Sequence, residues 1–111
     1  MSDRPSPASG TAVLMFPAEV DLAGVDRLRE QALGLLNRGA SMLVLDLSQC
    51  RFCDSSGVNL ILRVRTRAVA MGVPLEVVLP ARGAARRVCE LTGVPHVVPT
   101  RIAAEPADSL C

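Results

Sequence analysis

The 111-residue sequence contains no lysine, tryptophan or tyrosine, and His96 is its only histidine. Without lysine the chain cannot form a Schiff base, supply the lysine of a phosphate-binding loop or use a lysine as general base. A metal site built on several imidazoles is excluded, and almost no aromatic surface is present for stacking on single-stranded bases. We therefore expect a protein that is not an enzyme and that uses no metal or cofactor.

The charges are nearly balanced, since 12 arginines face 11 acidic residues and the formal net charge is +1. No global field attracts nucleic acid or an anionic membrane. No apolar run approaches the roughly 20 residues that span a bilayer, and residues 1–10 lack the basic start and apolar middle of a signal peptide. We expect a flexible leader at residues 1–10, one domain at residues 11–111 and a cytoplasmic location, with neither membrane insertion nor direct nucleic-acid binding.

The four cysteines are Cys50, Cys53, Cys89 and Cys111, and the first two form a Cys-x-x-Cys pair. A zinc site would need a second pair of ligands at suitable spacing, which the scattered remaining cysteines and His96 do not provide. Packing of free thiols in the core is the favoured interpretation. A redox pair stays open, because the motif directly precedes a predicted helix start, where thiolates are stabilised.

The pattern of apolar residues predicts alternating strands and helices. Strands are predicted at residues 12–16, 42–47, 75–79 and 96–98, and helices at residues 23–38, 58–71 and 82–91. The second strand is an almost unbroken apolar run, as in a strand covered on both faces. Short connections favour right-handed crossovers. The predicted fold is an α/β domain with a mixed, mostly parallel sheet of about four to five strands and helices packed against it.

The sequence Asp54-Ser55-Ser56-Gly57 lies between a predicted strand and a predicted helix. One interpretation is structural, because Asp and Ser cap the free N–H groups of a helix and Gly tolerates unusual backbone angles. Another is that a serine hydroxyl exposed at the helix start carries a phosphate, which the helix dipole and the free N–H groups favour. A nucleophilic serine fits poorly, because the Gly-x-Ser-x-Gly elbow is absent and the only histidine lies in a different segment.

The helix predicted at residues 58–71 has more apolar residues than one buried face requires. The stripe assigned to the core is Leu60, Ile61, Val64, Ala68 and Met71. A second stripe of Val58, Leu62 and Val69 is predicted to be exposed. Burial of this helix on both sides of a thick core is the alternative.

Positive charge is concentrated in the second half of the chain. Residues 51–90 carry seven arginines against three acidic residues, whereas residues 1–50 carry four against six. Arg63, Arg65 and Arg67 are expected either to steer an acidic partner surface to the serine or simply to solvate the helix.

Several sequence blocks follow one another around the alternating strands and helices. They are residues 19–21 (Glu-Val-Asp), 43–47 (Leu-Val-Leu-Asp-Leu), 52–57 (Phe-Cys-Asp-Ser-Ser-Gly), 72–75 (Gly-Val-Pro-Leu) and 91–94 (Leu-Thr-Gly-Val). In these blocks the sequence resembles the STAS domains, and within that family the bacterial anti-sigma factor antagonists. The resemblance extends from residue 11 to about residue 100. The sequence departs from the family at Ala18, where a glycine is often found, and in a C-terminal segment interrupted by Pro106.

The resemblance implies that Ser55 is phosphorylated by an anti-sigma factor that is also an ATP-dependent serine kinase of the histidine-kinase-like ATPase type. The unphosphorylated antagonist binds this partner and releases a sigma factor, and a metal-dependent serine phosphatase resets the switch. The residues expected to contact the partner are Asp21, Asp54, Ser56, Gly57, Val58, Asn59, Leu62, Arg63 and Arg65.

Other functions stay open. STAS domains also occur as adaptor subunits of membrane transport ATPases of the lipid-transport type and in stressosome scaffolds. A constitutive adaptor predicts that Ser55→Glu leaves partner binding intact. A small thiol-redox or hydrolytic enzyme would instead use Cys50 and Cys53, or Ser55.

Overall fold

A computed structural model describes residues 10–104 as alternating strands and helices. In chain order they are β1 (Thr11–Met15), β2 (Glu19–Val20), α1 (Leu22–Asn37), β3 (Met42–Asp46), β4 (Phe52–Cys53), α2 (Ser55–Met71), β5 (Leu75–Leu79), α3 (Ala84–Leu91), α4 (Val94–Val97) and β6 (Thr100–Ile102). The leader predicted at residues 1–10 lies, apart from Gly10, outside the described residues, as does the chain from residue 105 onward.

Four strands form one sheet in the order β1-β3-β5-β6, and β2 and β4 form a separate pair. All strand pairs within residues 10–104 are parallel. The apolar strand β3 lies in the middle, where Leu45 pairs with Val77 of β5. In the short pair, Val20 lies beside Cys53. The predicted α/β class with helices packed against the sheet is confirmed. The sheet was expected to be mixed and mostly parallel, and its described strand pairs are all parallel.

The two faces of the four-stranded sheet have different surroundings. The residues of β3 and β5 that share one core with the helices are Leu43, Leu45, Leu75, Val77 and Leu79. Val44 and Val78, whose side chains alternate with these, are buried but lie outside that core. Successive right-handed crossovers that proceed in one direction place their helices on one face of a sheet, which accounts for this difference.

The two long helices begin and end at residues suited to those positions. Asp21 precedes α1 in an extended conformation, and its carboxylate accepts a hydrogen bond from the Gly24 N–H at 3.2 Å. Gly72 ends α2 with a left-handed φ of 71°, which a residue with a Cβ rarely adopts. No helix in the described part of the chain is both long and apolar enough to cross a membrane.

The core stripe predicted in α2 is confirmed at Leu60, Ile61, Val64 and Ala68. The residues of α1 and α2 that the structure buries in the shared core are Leu28, Ala32, Leu36, Val58, Leu60, Ile61, Val64 and Ala68. Met71 was assigned to the same stripe but is 39% exposed, because it is the last residue of α2 and Gly72 turns the chain away. In α3 the buried residues are Ala85 and Cys89, whereas Leu91, the last residue of the helix, is 80% exposed.

The strand predicted at residues 96–98 is wrong, because residues 94–97 form the helical turn α4 and the strand β6 follows at residues 100–102. Pro95 lies in the first turn of α4, where its fixed φ suits a helix and its missing N–H costs nothing. The pair β2–β4 was not predicted, since two-residue strands have no measurable period. Helix α2 begins at Ser55, three residues earlier than expected, because the Asp-Ser-Ser-Gly sequence supplies its own cap and first turn.

Candidate functional site

The start of α2 is capped by Asp54. Its backbone is extended, and its Oδ1 accepts hydrogen bonds from the Ser56 N–H at 2.9 Å and from the Ser56 hydroxyl. Its carbonyl oxygen accepts the Gly57 N–H at 3.0 Å. The hydrogen bond from the Ser56 hydroxyl, reinforced by backbone N–H groups, lowers the pKa of the Asp54 carboxyl below its ordinary value. The carboxylate is therefore charged at neutral pH, and the capping role expected of it is observed.

The two serines of the motif have different environments. Ser55 is the first residue of α2 and is exposed, and within residues 10–104 its hydroxyl has no hydrogen-bond partner. Ser56 is half-buried, and its hydroxyl is engaged by Asp54. Only Ser55 thus presents a hydroxyl that an incoming protein can reach without breaking the cap.

Gly57 lies underneath this surface rather than on it. A Cβ at this position would lie 2.3 Å from the Cys53 Sγ and 3.2 Å from a methyl carbon of Val20, so only glycine lets α2 approach the β2–β4 pair this closely. Gly57 is buried, and the partner contact expected of it is not available to a side chain. Its role is to seat the first turn of α2, and with it Ser55, on β2 and β4.

The β2–β4 pair also brings the starts of the two long helices together. Val20 and Cys53 are paired in parallel register, and the Asp54 N–H donates to the Val20 carbonyl at 3.4 Å. The next residue on each strand is the cap of a helix, Asp21 for α1 and Asp54 for α2. Asp21, predicted to contact the partner, is therefore exposed on the same edge as Ser55.

One side of α2 is exposed in a line that continues from Ser55. At helical spacing along this line follow the exposed residues Asn59, Leu62, Thr66 and Val69. Exposure of Leu62 and Val69, at 36% and 64%, was predicted. Val58 was expected on the same exposed stripe, but it is only 6% exposed, because the first turn of α2 packs over β4 and covers it.

The three arginines of α2 differ in their contacts and exposure. The Arg65 Nε donates a hydrogen bond of 2.8 Å to the Val97 carbonyl, so this side chain connects α2 to α4. Arg65 was expected to contact a partner, and the structure gives it this internal contact. Arg63 and Arg67 are exposed on the opposite side of α2, toward α1, where they line a groove together with Arg29. Arg29 was not singled out from the sequence, since only the packing of α1 on α2 brings it there.

The cysteines are packed in the core. Cys50, Cys53 and Cys89 are free thiols and buried. Burial, with the neighbouring Cys53, raises the pKa of the Cys50 thiol to about 11. A hydrogen bond with Cys89, together with burial, also raises the pKa of Cys53. The hydrogen bond with Cys53 lowers the pKa of Cys89. Because the pKa values of Cys50 and Cys53 are raised and both side chains are buried, the Cys-x-x-Cys pair fits packing better than redox chemistry. No cluster of metal-binding side chains occurs among residues 10–104.

The four-stranded sheet packs its helices on one face, and the β2–β4 pair brings the starts of α1 and α2 together. The protein is therefore a small α/β domain whose candidate site is the exposed surface around Ser55. The family model described as Mlab, STAS domain, matches residues 7–99. The chain belongs to the STAS domain family.

Solved structures share this fold at low sequence identity. The structure of the anti-sigma factor antagonist SpoIIAA in its unphosphorylated form matches with a TM-score of 0.73 and 20% identity, over 95% of this chain and 90% of that chain. The crystal structure of TM1081 from Thermotoga maritima, named as a candidate anti-sigma factor antagonist, matches with a TM-score of 0.68 and 20% identity, over 88% of this chain and 84% of that one. No curated protein matches the sequence.

Proposed function

We propose that this protein is an anti-sigma factor antagonist whose binding to an anti-sigma factor is switched off by phosphorylation of Ser55. The observation that carries the proposal is the exposed hydroxyl of Ser55 at the first position of α2, which has no hydrogen-bond partner among residues 10–104. In this proposal the unphosphorylated protein binds a histidine-kinase-like ATPase that is both anti-sigma factor and serine kinase, and thereby releases a sigma factor. A metal-dependent serine phosphatase restores the binding form, and the whole cycle takes place in the cytoplasm.

The charges around Ser55 support a switch that works without refolding. A phosphate adds a charge of about −2 at a helix N-terminus, where the dipole and the free N–H groups accommodate it. The neighbouring Asp54 carboxylate is already charged and held in the cap. In a docked interface the added phosphate would be poorly solvated and close to this carboxylate, so binding is lost while the domain stays folded.

The exposed apolar residues give the partner a surface to bind. Leu62 and Val69 lie on the same side of α2 as Ser55, so a protein that contacts the serine also covers apolar area. In this surface Asn59 and Asp21 supply polar contacts, while Ser56 and Gly57 hold the backbone in place. A docked kinase would then hold the Ser55 hydroxyl next to its own nucleotide.

A pull-down from the native host's extract tests the proposal. The baits are the wild type, Ser55→Glu and the matched control Ser41→Glu, whose exposed serine precedes β3 at the opposite end of the sheet. With ADP present, we expect mass spectrometry to identify a histidine-kinase-like ATPase on the wild type and on Ser41→Glu, and its loss on Ser55→Glu. Recovery of a membrane transport ATPase on all three baits would refute the switch and establish a constitutive adaptor.

Phosphorylation itself is tested with the recovered kinase and radiolabelled ATP. We expect label on the wild type and on Ser56→Ala, and none on Ser55→Ala. Equal labelling of Ser55→Ala would show that the acceptor is another residue.

A further inference from the structure

A groove runs between α1 and α2, and its upper end lies beside the serine motif. Ser56 and Asn59 line that end, and Asn37 and Arg67 line the far end. Arg29 and Arg63 line both parts, so the two depressions form one continuous groove. Because α1 and α2 start side by side on the β2–β4 pair, a chain that docks at Ser55 reaches the groove directly.

Positive charge is concentrated along the groove. Arg63 and Arg67 are one helical turn apart on α2 and exposed, and neither makes an ion pair within the described part of the chain. Like charges at this spacing slightly destabilise a helix. Arg29 is 3.4 Å from the Asp26 carboxylate, in an exposed pair of the kind that contributes little. Three arginines against Asp26, which also lines the upper part, give the groove a net positive charge, and Arg63 and Arg67 have no charged partner among the described residues.

The groove also has apolar walls. Val25 lines its upper part and Leu33 its lower part, and both are half-buried, whereas Leu60 in the upper part is only 2% exposed. Leu22, at the start of α1, is 75% exposed above it. Apolar side chains below a cationic rim suit an amphipathic segment that carries acidic residues along one side. DNA or an anionic membrane fits less well, because three arginines on a chain of net charge +1 generate no extended positive field.

We propose that the α1–α2 groove is a docking site for an acidic, amphipathic helical segment of the partner protein. Carboxylates of that segment pair with Arg29, Arg63 and Arg67. Its apolar side chains contact Leu22, Val25 and Leu33. The assignment of this segment to the partner that recognises Ser55 rests on the proposed function. The groove itself acts whether or not Ser55 is modified.

The test is an NMR titration of the full-length, ¹⁵N-labelled protein with a synthetic 15-residue helical peptide that carries Glu and Leu at i,i+4 spacing. The matched control peptide has Gln in place of every Glu. We expect shifts confined to α1 and α2 with the Glu peptide, and binding that weakens as salt rises. The double variant Arg63→Glu, Arg67→Glu should bind the Glu peptide about tenfold more weakly or worse, because two attractive contacts become repulsive.

Matched control variants are Arg38→Glu and Arg87→Glu, whose exposed arginines lie outside the groove and should leave binding within about twofold. If the double variant does not fold, Arg67→Gln alone should weaken binding measurably. Equal binding of the Gln peptide, no effect of the groove variants, or tighter binding of duplex DNA or phosphatidylglycerol vesicles would overturn the proposal.

The outcomes separate this proposal from the proposed function. If Ser55→Glu does not change kinase binding but the groove variants abolish peptide binding, the phosphorylation switch is refuted and the groove proposal is supported. If Ser55→Glu abolishes kinase binding but the groove variants change neither peptide nor kinase binding, the groove fails and the switch stands.

Discussion

Replacing Gly57 with alanine measures how tightly the first turn of α2 is seated on the β2–β4 pair. The added Cβ would lie 2.3 Å from the Cys53 Sγ and 3.2 Å from the Val20 methyl carbon. Ordinary contacts between such atoms are about 3.5–4.0 Å, so α2 or β4 must move by roughly 1 Å. Overpacking of this kind costs about 1–3 kcal/mol, against which alanine in a helix gains at most about 1 kcal/mol. We expect Gly57→Ala to lower the free energy of unfolding by about 1–2 kcal/mol.

Gly34→Ala is the matched control. Gly34 also lies within a helix, and a Cβ there would meet no atom within 4 Å. Only the helix gain remains, so this variant should be more stable than the wild type by about 0.5–1 kcal/mol. Urea denaturation followed by circular dichroism measures both variants, and a shift of about 4–8 °C per kcal/mol in melting temperature provides an independent check.

Cys53→Ala identifies the colliding atom, because it removes the Sγ that the new Cβ would meet. In a double-mutant cycle, Gly57→Ala should cost less in the Cys53→Ala background than in the wild type, by about 1 kcal/mol. If Gly57→Ala were as stable as Gly34→Ala, or if the cycle gave no coupling, the close seating of α2 would be refuted.

Asp54, Cys50 and Arg65 provide three more tests. Because the pKa of Asp54 is lowered in the folded state, its stabilising effect is complete above the ordinary value of 3.8 and is lost as pH falls through the lowered pKa. Below about pH 4, the urea midpoint should therefore fall more steeply in the wild type than in Asp54→Asn. Parallel pH profiles of the two proteins would contradict this. The Cys50 thiol, with its pKa raised to about 11, should resist iodoacetamide at pH 8 until urea unfolds the protein; peptide mass spectrometry that finds rapid native alkylation would contradict its burial. Arg65→Ala removes the hydrogen bond to the Val97 carbonyl, so it should lower the free energy of unfolding by about 1 kcal/mol and speed amide exchange in α4. Unchanged amide exchange in α4 would show that this contact does not hold the helix in place.

The parts of the fold that could be predicted are those in which the core repeats with a regular period. Leu28, Ala32 and Leu36 recur at helical spacing in α1, and the apolar run of β3 indicates a strand covered on both sides. The capping role of Asp54 could be predicted because it depends on local sequence, although α2 begins three residues earlier than expected. Gly57 was expected to tolerate unusual backbone angles, but its φ is not positive and the structure uses it for close approach. Local rules therefore identified β1, β3, β5, the three longer helices and the position of the serine motif before α2.

The parts that could not be predicted depend on contacts between distant segments. Burial of Val58 follows from the packing of α2 over β4, a two-residue strand that exists only because β2 pairs with it. The groove beside the serine is lined by Arg29 of α1 and Arg63 of α2, which are far apart in sequence and lie near each other only because the two helices pack together. For α4 the sequence does contain a local signal, because Pro95 favours the first turn of a helix. The apolar residues that follow Pro95 nevertheless resemble a strand.

The order of strands in the main sheet has a consequence for where chemistry can take place. Ligand crevices in open parallel sheets form where the strand order reverses and neighbouring connections leave on opposite faces. In the order β1-β3-β5-β6 the direction does not change across the described residues. The carboxyl ends of β1 and β3 instead lead into the small β2–β4 pair, on which the capped starts of α1 and α2 stand. Within the described residues this strand order forms no such crevice, and the edge that carries Ser55 consists of the exposed starts of two helices and the upper end of the α1–α2 groove.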